Sequence, residues 1–363
     1  MEKSEFVRLT RDISFEDRLR YSNLTRAQAC ALSPKEKIRY FYSLHVGHAK
    51  LKLVVKKIKR CLSPFVEHRI ITLIGATGAG KTSFIEFFLT NEFKSEKPGQ
   101  LPFLMITAPA LGTTKISWSG VYRLILEAGE EPLIDQKRAS FVEDGRLRTV
   151  PASTQGQLPS LQMAVVNMLR YRETDLLAMD EVLHLLRFGD PTKLMDTFKS
   201  LADAASCQLL LVGGFDLLEM VATYAQVARR ERLIYFDRYQ DKKTNEKGKL
   251  VKNDEDIVEF GDAILKLQAR WPFDYTPNFF AAREDLIIAT LGIFGLLKDF
   301  MMQCLIEQAE NSGGWKDEFV ERSLKRLYTI QAIQKEVDAG EAKLKKSGLR
   351  LYRRLRRYAR KTR

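Results

Sequence analysis

The stretch RIITLIGATGAGKTSFIEFFL (residues 69–89) decides the fold, and the rest of the chain is read outward from it. RIITLI (69–74) is a short apolar run rich in β-branched residues, the pattern of a buried strand. GATGAGKT (75–82) matches G-x-x-x-x-G-K-[ST] at every fixed position. SFIEFFL (83–89) then has a helical pattern. Strand, glycine-rich turn and helix follow in the order that a phosphate cradle needs. Gly75, Gly78 and Gly80 let the backbone turn tightly and aim its N–H groups inward, and the helix start adds its positive end. Gly75, Ala76, Thr77, Gly78, Ala79, Gly80, Lys81, Thr82 and Ser83 are the expected nucleotide contacts. Lys81 is placed for the β- and γ-phosphates and the Thr82 hydroxyl for Mg²⁺, so the implied ligands are ATP and magnesium.

About a hundred residues downstream, LLAMDEV (176–182) puts Asp180 at the end of an apolar strand, with Glu181 next. A carboxylate at the carboxyl end of a parallel strand can hold the magnesium's water shell, and its neighbour can act as base toward an attacking water. Asp180 and Glu181 are therefore expected to be catalytic, with Thr82 and Asp180 as the magnesium pair. ARRERLIYF (228–236) places Arg229 and Arg230 before another strand. A guanidinium delivered from a neighbouring subunit stabilises charge on a transferring phosphoryl group; the bland reading is a solvated basic turn. Further strands are expected at FLMIT (103–107), QLLLVG (208–213) and LIYFDRY (233–239). Helices are expected at 117–129, 158–172 and 190–205, the last with Asp190 as N-cap and Pro191 at its first position. This alternation predicts an α/β fold with a parallel five-stranded sheet flanked by helices.

At 363 residues and 45% hydrophobic content the chain is long enough for two or three units with real cores. Residues 1–65 read as a helical N-terminal lead-in with one helix, roughly Pro34 to Cys61. The ATPase core spans 66–239, a polar loop 240–256, and an all-helical lid subdomain 257–340. The 59 basic and 46 acidic residues are unevenly placed: eleven of the basic ones fall in 343–363, which has no acid, leaving 48 against 46 elsewhere. The segment 341–363 is thus a basic tail suited to a polyanion or an acidic partner. Leu344, Leu351, Leu355 and Tyr358 give it a narrow apolar stripe at helical spacing. The longest apolar run, Leu286 to Leu297, is shorter than the ~18 residues of a membrane span, and MEKSEFVRLTRD has no secretory h-region. Four scattered cysteines form no C-x-x-C pair, and His45 and His48, three apart, lack further ligands for a metal.

With these pieces in order, the chain resembles the TniB/TnsC family of AAA+ transposition regulators from about His68 to Leu327. The carrying stretches are LIGATGAGKT (73–82), FLMITAP (103–109), LLAMDE (176–181), LLLVGGFD (209–216), YAQVARRERLIYFDRY (224–239) and TLGIFGLLKDFMMQCL (290–305). The ATPase motifs are generic. The A-R-R segment before the last strand and the L-G-x-x-G-x-L-K-D helix are more specific. The resemblance implies an AAA+ P-loop NTPase with a small helical lid, in an oligomer, ring or filament, on duplex DNA. It also implies partnership with a transposase and a target selector of TniQ/TnsD type, in the bacterial cytoplasm at the nucleoid and away from membrane. Family members track the DNA backbone after the second strand, which makes Thr114 and Lys115 candidate contacts. Lys115 is otherwise an ordinary loop lysine. One departure stands out: the strand before the arginines ends in Gly213-Gly214-Phe215, with Asp216 where a neutral polar sensor of γ-phosphate is usual. A second sensor arginine has only Arg283 as a candidate. Slow turnover fits both gaps. A helicase-loader or initiator-type ATPase, and a nucleotide-gated adaptor with little turnover, share the same motifs.

Overall fold

The computed structural model describes residues 13–62, 69–95, 97–108, 117–136, 139–143, 146–150, 157–186, 190–218, 231–245, 248–324 and 329–344. Thr114, Lys115, Arg229, Arg230 and the stripe at Leu351, Leu355 and Tyr358 lie outside them. The chain divides into two compact units. One comprises Leu53–Gly75 and Lys81–Phe236; the other comprises Met1–Lys52, Ala76–Gly80 and Asp237–Arg363.

The first unit is built on a parallel sheet of five strands: β1 (Ile70–Gly75), β2 (Phe103–Thr107), β5 (Leu176–Asp180), β6 (Gln208–Gly213) and β7 (Glu231–Phe236). A separate antiparallel pair, β3 (Ala139–Glu143) and β4 (Arg146–Val150), is inserted between β2 and β5 in sequence. The sheet order is β2-β5-β6-β1-β7, so the strand carrying Asp180 is not next to the one that leads into the glycine turn; β6 lies between them. All six residues of β1 and all five of β5 are buried, which is why they read as continuous apolar runs without alternation. β1 pairs with β6 from Ile70↔Leu209 to Ile74↔Gly213, and with β7 from Ile70↔Glu231 to Gly75↔Phe236. β7 thus begins two residues earlier than expected and ends at Phe236, where β1 also ends.

Helices Trp118–Ala128, Gln157–Tyr171 and Pro191–Ala205 occupy the expected segments. Asp190 caps the last of them, accepting from the Thr192 N–H at 2.9 Å. After the glycine turn the helix is not uniformly α. Lys81–Ser83 is α, Phe84–Leu89 is a π turn, and Thr90–Glu92 is α again. Phe84 and Leu89 are five apart, the hydrogen-bond spacing of a π turn, and both are fully buried. The wider turn puts both side chains on the core side, Phe84 edge-on to Phe236 with ring centres 5.7 Å apart.

The second unit is helical. Phe15–Asn23, Arg26–Cys30 and Pro34–Ser43 share one core with Asp254–Gln268, Arg283–Ala289 and Phe294–Glu310. Trp271 lies at its centre, fully buried, edge-on to Phe41 at 5.2 Å, with its indole N–H donating to Gln308 Oε1 at 2.8 Å. Burying one such aromatic stabilises by about 1.5–3 kcal/mol, so this cluster is what holds the helices of the two ends together. The single helix expected from Pro34 to Cys61 is in fact two, Pro34–Ser43 and Ala49–Cys61, with Leu44 in extended backbone. Lys298 donates to the carbonyls of Tyr42 at 2.7 Å and Leu44 at 2.6 Å, satisfying the acceptors that the break leaves open. His45 and His48 fall in the break and share no helix face. The 240–256 segment is not plain loop: β8 (Lys242–Thr244) and β9 (Leu250–Lys252) form an exposed hairpin closed by Asn245 and Gly248. Among the described residues after it there is no strand, and no described helix is long and apolar enough to cross a membrane.

Candidate nucleotide-binding site

β1 delivers the chain into the turn at Gly75. A Cβ there would meet the Phe236 Cβ at 3.0 Å and its carbonyl oxygen at 3.3 Å, so the close approach of the ends of β1 and β7 is eased by a residue 75 without a side chain. Gly78 and Gly80 have φ of 80° and 85°, in the left-handed region, and the Ala79 N–H donates to the Ala76 carbonyl at 3.1 Å to close the turn. Lys81 opens the following helix, and its Nζ donates back to the Gly75 carbonyl at 2.9 Å. The ammonium is thereby held at the end of β1.

Thr82, one residue further on, donates from its hydroxyl to Asp180 Oδ2 at 2.5 Å. Asp180 is 1% exposed; its other oxygen accepts the Glu181 N–H at 2.9 Å. Two residues 98 apart in sequence are therefore brought into direct contact at the carboxyl ends of two non-adjacent strands, the place where open α/β sheets bind ligands. Glu181 has φ of 52°, a costly conformation for a residue with a side chain. Its carboxylate is exposed and lies 3.8 Å from His184 Nε2. This donor set fits a triphosphate with magnesium: a glycine turn and an ammonium for phosphate oxygens, a hydroxyl and a carboxylate in contact for a hard cation, and an exposed carboxylate beside them.

The sensor positions are filled as the sequence states. β6 ends at Gly213, Phe215 is buried and stacked at a tilt against Tyr235 with ring centres 5.8 Å apart, and Asp216 is exposed. Arg283 turns to Phe280, donating to its carbonyl at 3.3 Å and lying 4.7 Å over its ring.

Within the helical unit, and among the described residues, the turn meets the start of helix Phe294–Glu310 and also Glu336, the second of which sequence reasoning missed. The L-G-x-x-G-x-L-K-D signature owes its glycines to close backbone approach. A Cβ on Gly292 would lie 1.8 Å from the Tyr239 carbonyl oxygen, and one on Gly295 would lie 1.9 Å from the Gly78 carbonyl oxygen. The start of helix Phe294–Glu310 is thus seated directly on the glycine turn. The missed neighbour is Glu336, in the helical residues 329–344, whose Oε1 accepts from the Thr77 hydroxyl at 3.1 Å. No motif marks it.

A glycine turn after the first sheet strand, strand order β2-β5-β6-β1-β7 and an Asp-Glu pair at the end of β5 define an AAA+ P-loop NTPase fold. In agreement, residues 66–221 match the AAA domain family. Among curated proteins no match was found. Among solved structures, the chain is similar to the Walker-type ATPase PABY2304 of Pyrococcus abyssi, with 14% identity, TM-score 0.44, covering 85% of this chain and 76% of that one. It is similar to the Aeropyrum pernix ORC2 protein in ADPNP–ADP complexes, with 14% identity, TM-score 0.48, covering 76% of this chain and 66% of that one. It is also similar to domain III of the Thermotoga maritima replication initiation protein DnaA, with 14% identity, TM-score 0.45, covering 79% of this chain and 97% of that one.

Proposed function

We propose that the chain is an ATP-dependent regulator of DNA transposition. It assembles as a ring or filament on duplex DNA, marks a target site, and recruits or activates a transposase together with a target selector of TniQ/TnsD type. The observation that carries the nucleotide part is the 2.5 Å contact between the Thr82 hydroxyl and the buried Asp180, beside Lys81 and the glycine turn. The transposition part is supported by the A-R-R segment (228–230) and by the L-G-x-x-G-x-L-K-D helix, whose two glycines are both needed for close backbone approach.

In this reading Lys81 and the turn Gly75–Gly80 hold the phosphates. Thr82 and Asp180 hold Mg²⁺, and Glu181 accepts a proton from the attacking water. When bound, ATP supplies a phosphoanhydride whose cleavage is strongly favourable. Arg229 or Arg230 of a neighbouring copy completes the site, so assembly requires nucleotide. Thr114 and Lys115 contact the DNA backbone without reading sequence, which makes affinity salt-dependent. Turnover is slow, because Asp216 is an anion where a neutral sensor would face the γ-phosphate. The place of action is the bacterial cytoplasm, at the nucleoid.

Lys81→Ala tests the core of the proposal. Particles are imaged by electron microscopy with ATP and duplex DNA, and phosphate release is followed with and without DNA. The wild type is expected to assemble only with ATP and Lys81→Ala to stay unassembled. ATP-dependent assembly that survives the substitution undiminished refutes the mechanism.

A further inference from the structure

Glu336 is the one carboxylate among the described residues with a hydrogen bond to the tip of the glycine turn, through the Thr77 hydroxyl at 3.1 Å. Its position is fixed from behind. The next residue, Val337, is fully buried. Five residues on, Glu341 is 9% exposed and pairs with Arg238 through Nε at 2.8 Å and Nη2 at 3.4 Å. Arg238 follows the end of β7 by two residues and also donates to the Leu291 carbonyl at 3.1 Å. Gln240 adds a weaker bond to the same Glu341 oxygen at 3.4 Å. The helical residues 329–344 are thus anchored at one point beyond β7 and at another on the turn. The second anchor is a negative charge on a loop whose composition suits a polyanion.

We propose that Glu336 is a charge gate on the nucleotide site. Its carboxylate braces the turn when phosphate is absent. It is repelled when triphosphate enters, so occupancy of the turn weakens one of the two anchors of residues 329–344. This rests on the nucleotide reading of the site and adds its regulation. The carboxylate of Glu341, one and a half turns further along, is neutralised by Arg238, so that end stays docked. The helix is loosened at the Glu336 end alone.

Glu336→Gln separates charge from shape, because the amide oxygen can still accept from Thr77. Affinity for a fluorescent ATP analogue is measured with Mg²⁺ for wild type, Glu336→Gln and Lys81→Ala. One charge a few ångströms from a phosphate group, at a partly screened site, is expected to make Glu336→Gln bind about three- to thirtyfold tighter at low salt. The gain is expected to shrink at high ionic strength. Hydrogen exchange of residues 329–344 in the wild type is expected to quicken on adding ATP near Glu336 and to stay slow near Glu341. Equal or weaker binding by Glu336→Gln, with Lys81→Ala still defective, overturns the gate while leaving the nucleotide site intact. Unchanged exchange at saturating ATP overturns it too. Absence of binding by both wild type and Glu336→Gln removes the nucleotide reading itself, and the gate with it.

Discussion

Gly295→Ala is the sharpest test of how the glycine turn is supported. The added Cβ would sit 1.9 Å from the Gly78 carbonyl oxygen, where ordinary contact begins at 3.4 Å, so the two backbones would have to separate by about 1.5 Å. No rotamer relieves the clash, since both partners are main chain or rigidly attached to it. Overpacking of this kind costs ~1–3 kcal/mol, and a backbone clash belongs in the upper half of that range. Opposing it, alanine replaces glycine in the first turn of helix Phe294–Glu310, worth ~0.5–1 kcal/mol of helix propensity. Sterics prevail, with a net loss of about 1–2 kcal/mol and a fall in melting temperature of ~2–8 °C. Displacing the Gly78 carbonyl also disturbs the turn, so Mg·ATP affinity should fall with stability. The assays are thermal denaturation and titration with a fluorescent ATP analogue. Gly214→Ala is the control, because a Cβ there meets nothing within 4 Å. A Gly295→Ala protein that melts and binds like wild type refutes the reasoning, and so does an equal loss in the control.

Two further outcomes concern the helical unit. His48 is 3% exposed, stacked on Phe294 with ring centres 4.4 Å apart and 3.0 Å from the Tyr239 hydroxyl. Burial, aided by Lys266 and Lys50, holds its pKa at about 3 against an ordinary 6.5. The unfolded chain therefore takes up the proton first. Stability is full above pH 6.5 and declines as pH falls from 6.5 toward 3, by up to ~1.36 kcal/mol per pH unit. Urea midpoints between pH 7 and 4.5 should show this slope, and His48→Gln should reduce it while leaving the share of His45, which burial likewise holds at about 3. Arg238→Met leaves the Glu341 carboxylate buried without its cation, at an expected loss of about 3–5 kcal/mol. Adding Glu341→Leu should restore most of it in the same denaturation assay; a double variant no more stable than the single would show that the pair's charge is not what matters.

The parts of the fold that were legible in the sequence are those whose signals are local. Each of the five sheet strands falls on a short apolar run, and Asp190 with Pro191 announces a helix start that the structure places there. β1 and β7 are displaced from their expected limits by one to three residues. Their ends are set by pairing, Gly75 with Phe236, which no local pattern reveals. The sheet order, with β6 separating the turn strand from the Asp180 strand, follows from tertiary packing alone. The helix break at residues 44–48 depends on Lys298, more than 250 positions away. Two hairpins went unread. β3–β4 carries an Asp144-Gly145 dipeptide between its strands, a strong local hairpin signal. β8–β9 has exposed strands with no apolar alternation to betray it. At the candidate site the glycine turn and the Asp-Glu pair were visible because their spacing is chemical. Glu336 was not, because one acid among several in a polar helix carries no mark until the chain folds.

The seating of Gly295 on Gly78 also bears on how a ligand would be received. Three glycines in the six residues from 75 to 80 would, in a free loop, surrender more backbone freedom on binding than almost any other composition. Here part of that freedom is already gone, because Gly78 is packed against the start of helix Phe294–Glu310. The receptor is preorganised: an incoming phosphate meets a shaped loop, and its binding energy is not diverted into ordering one.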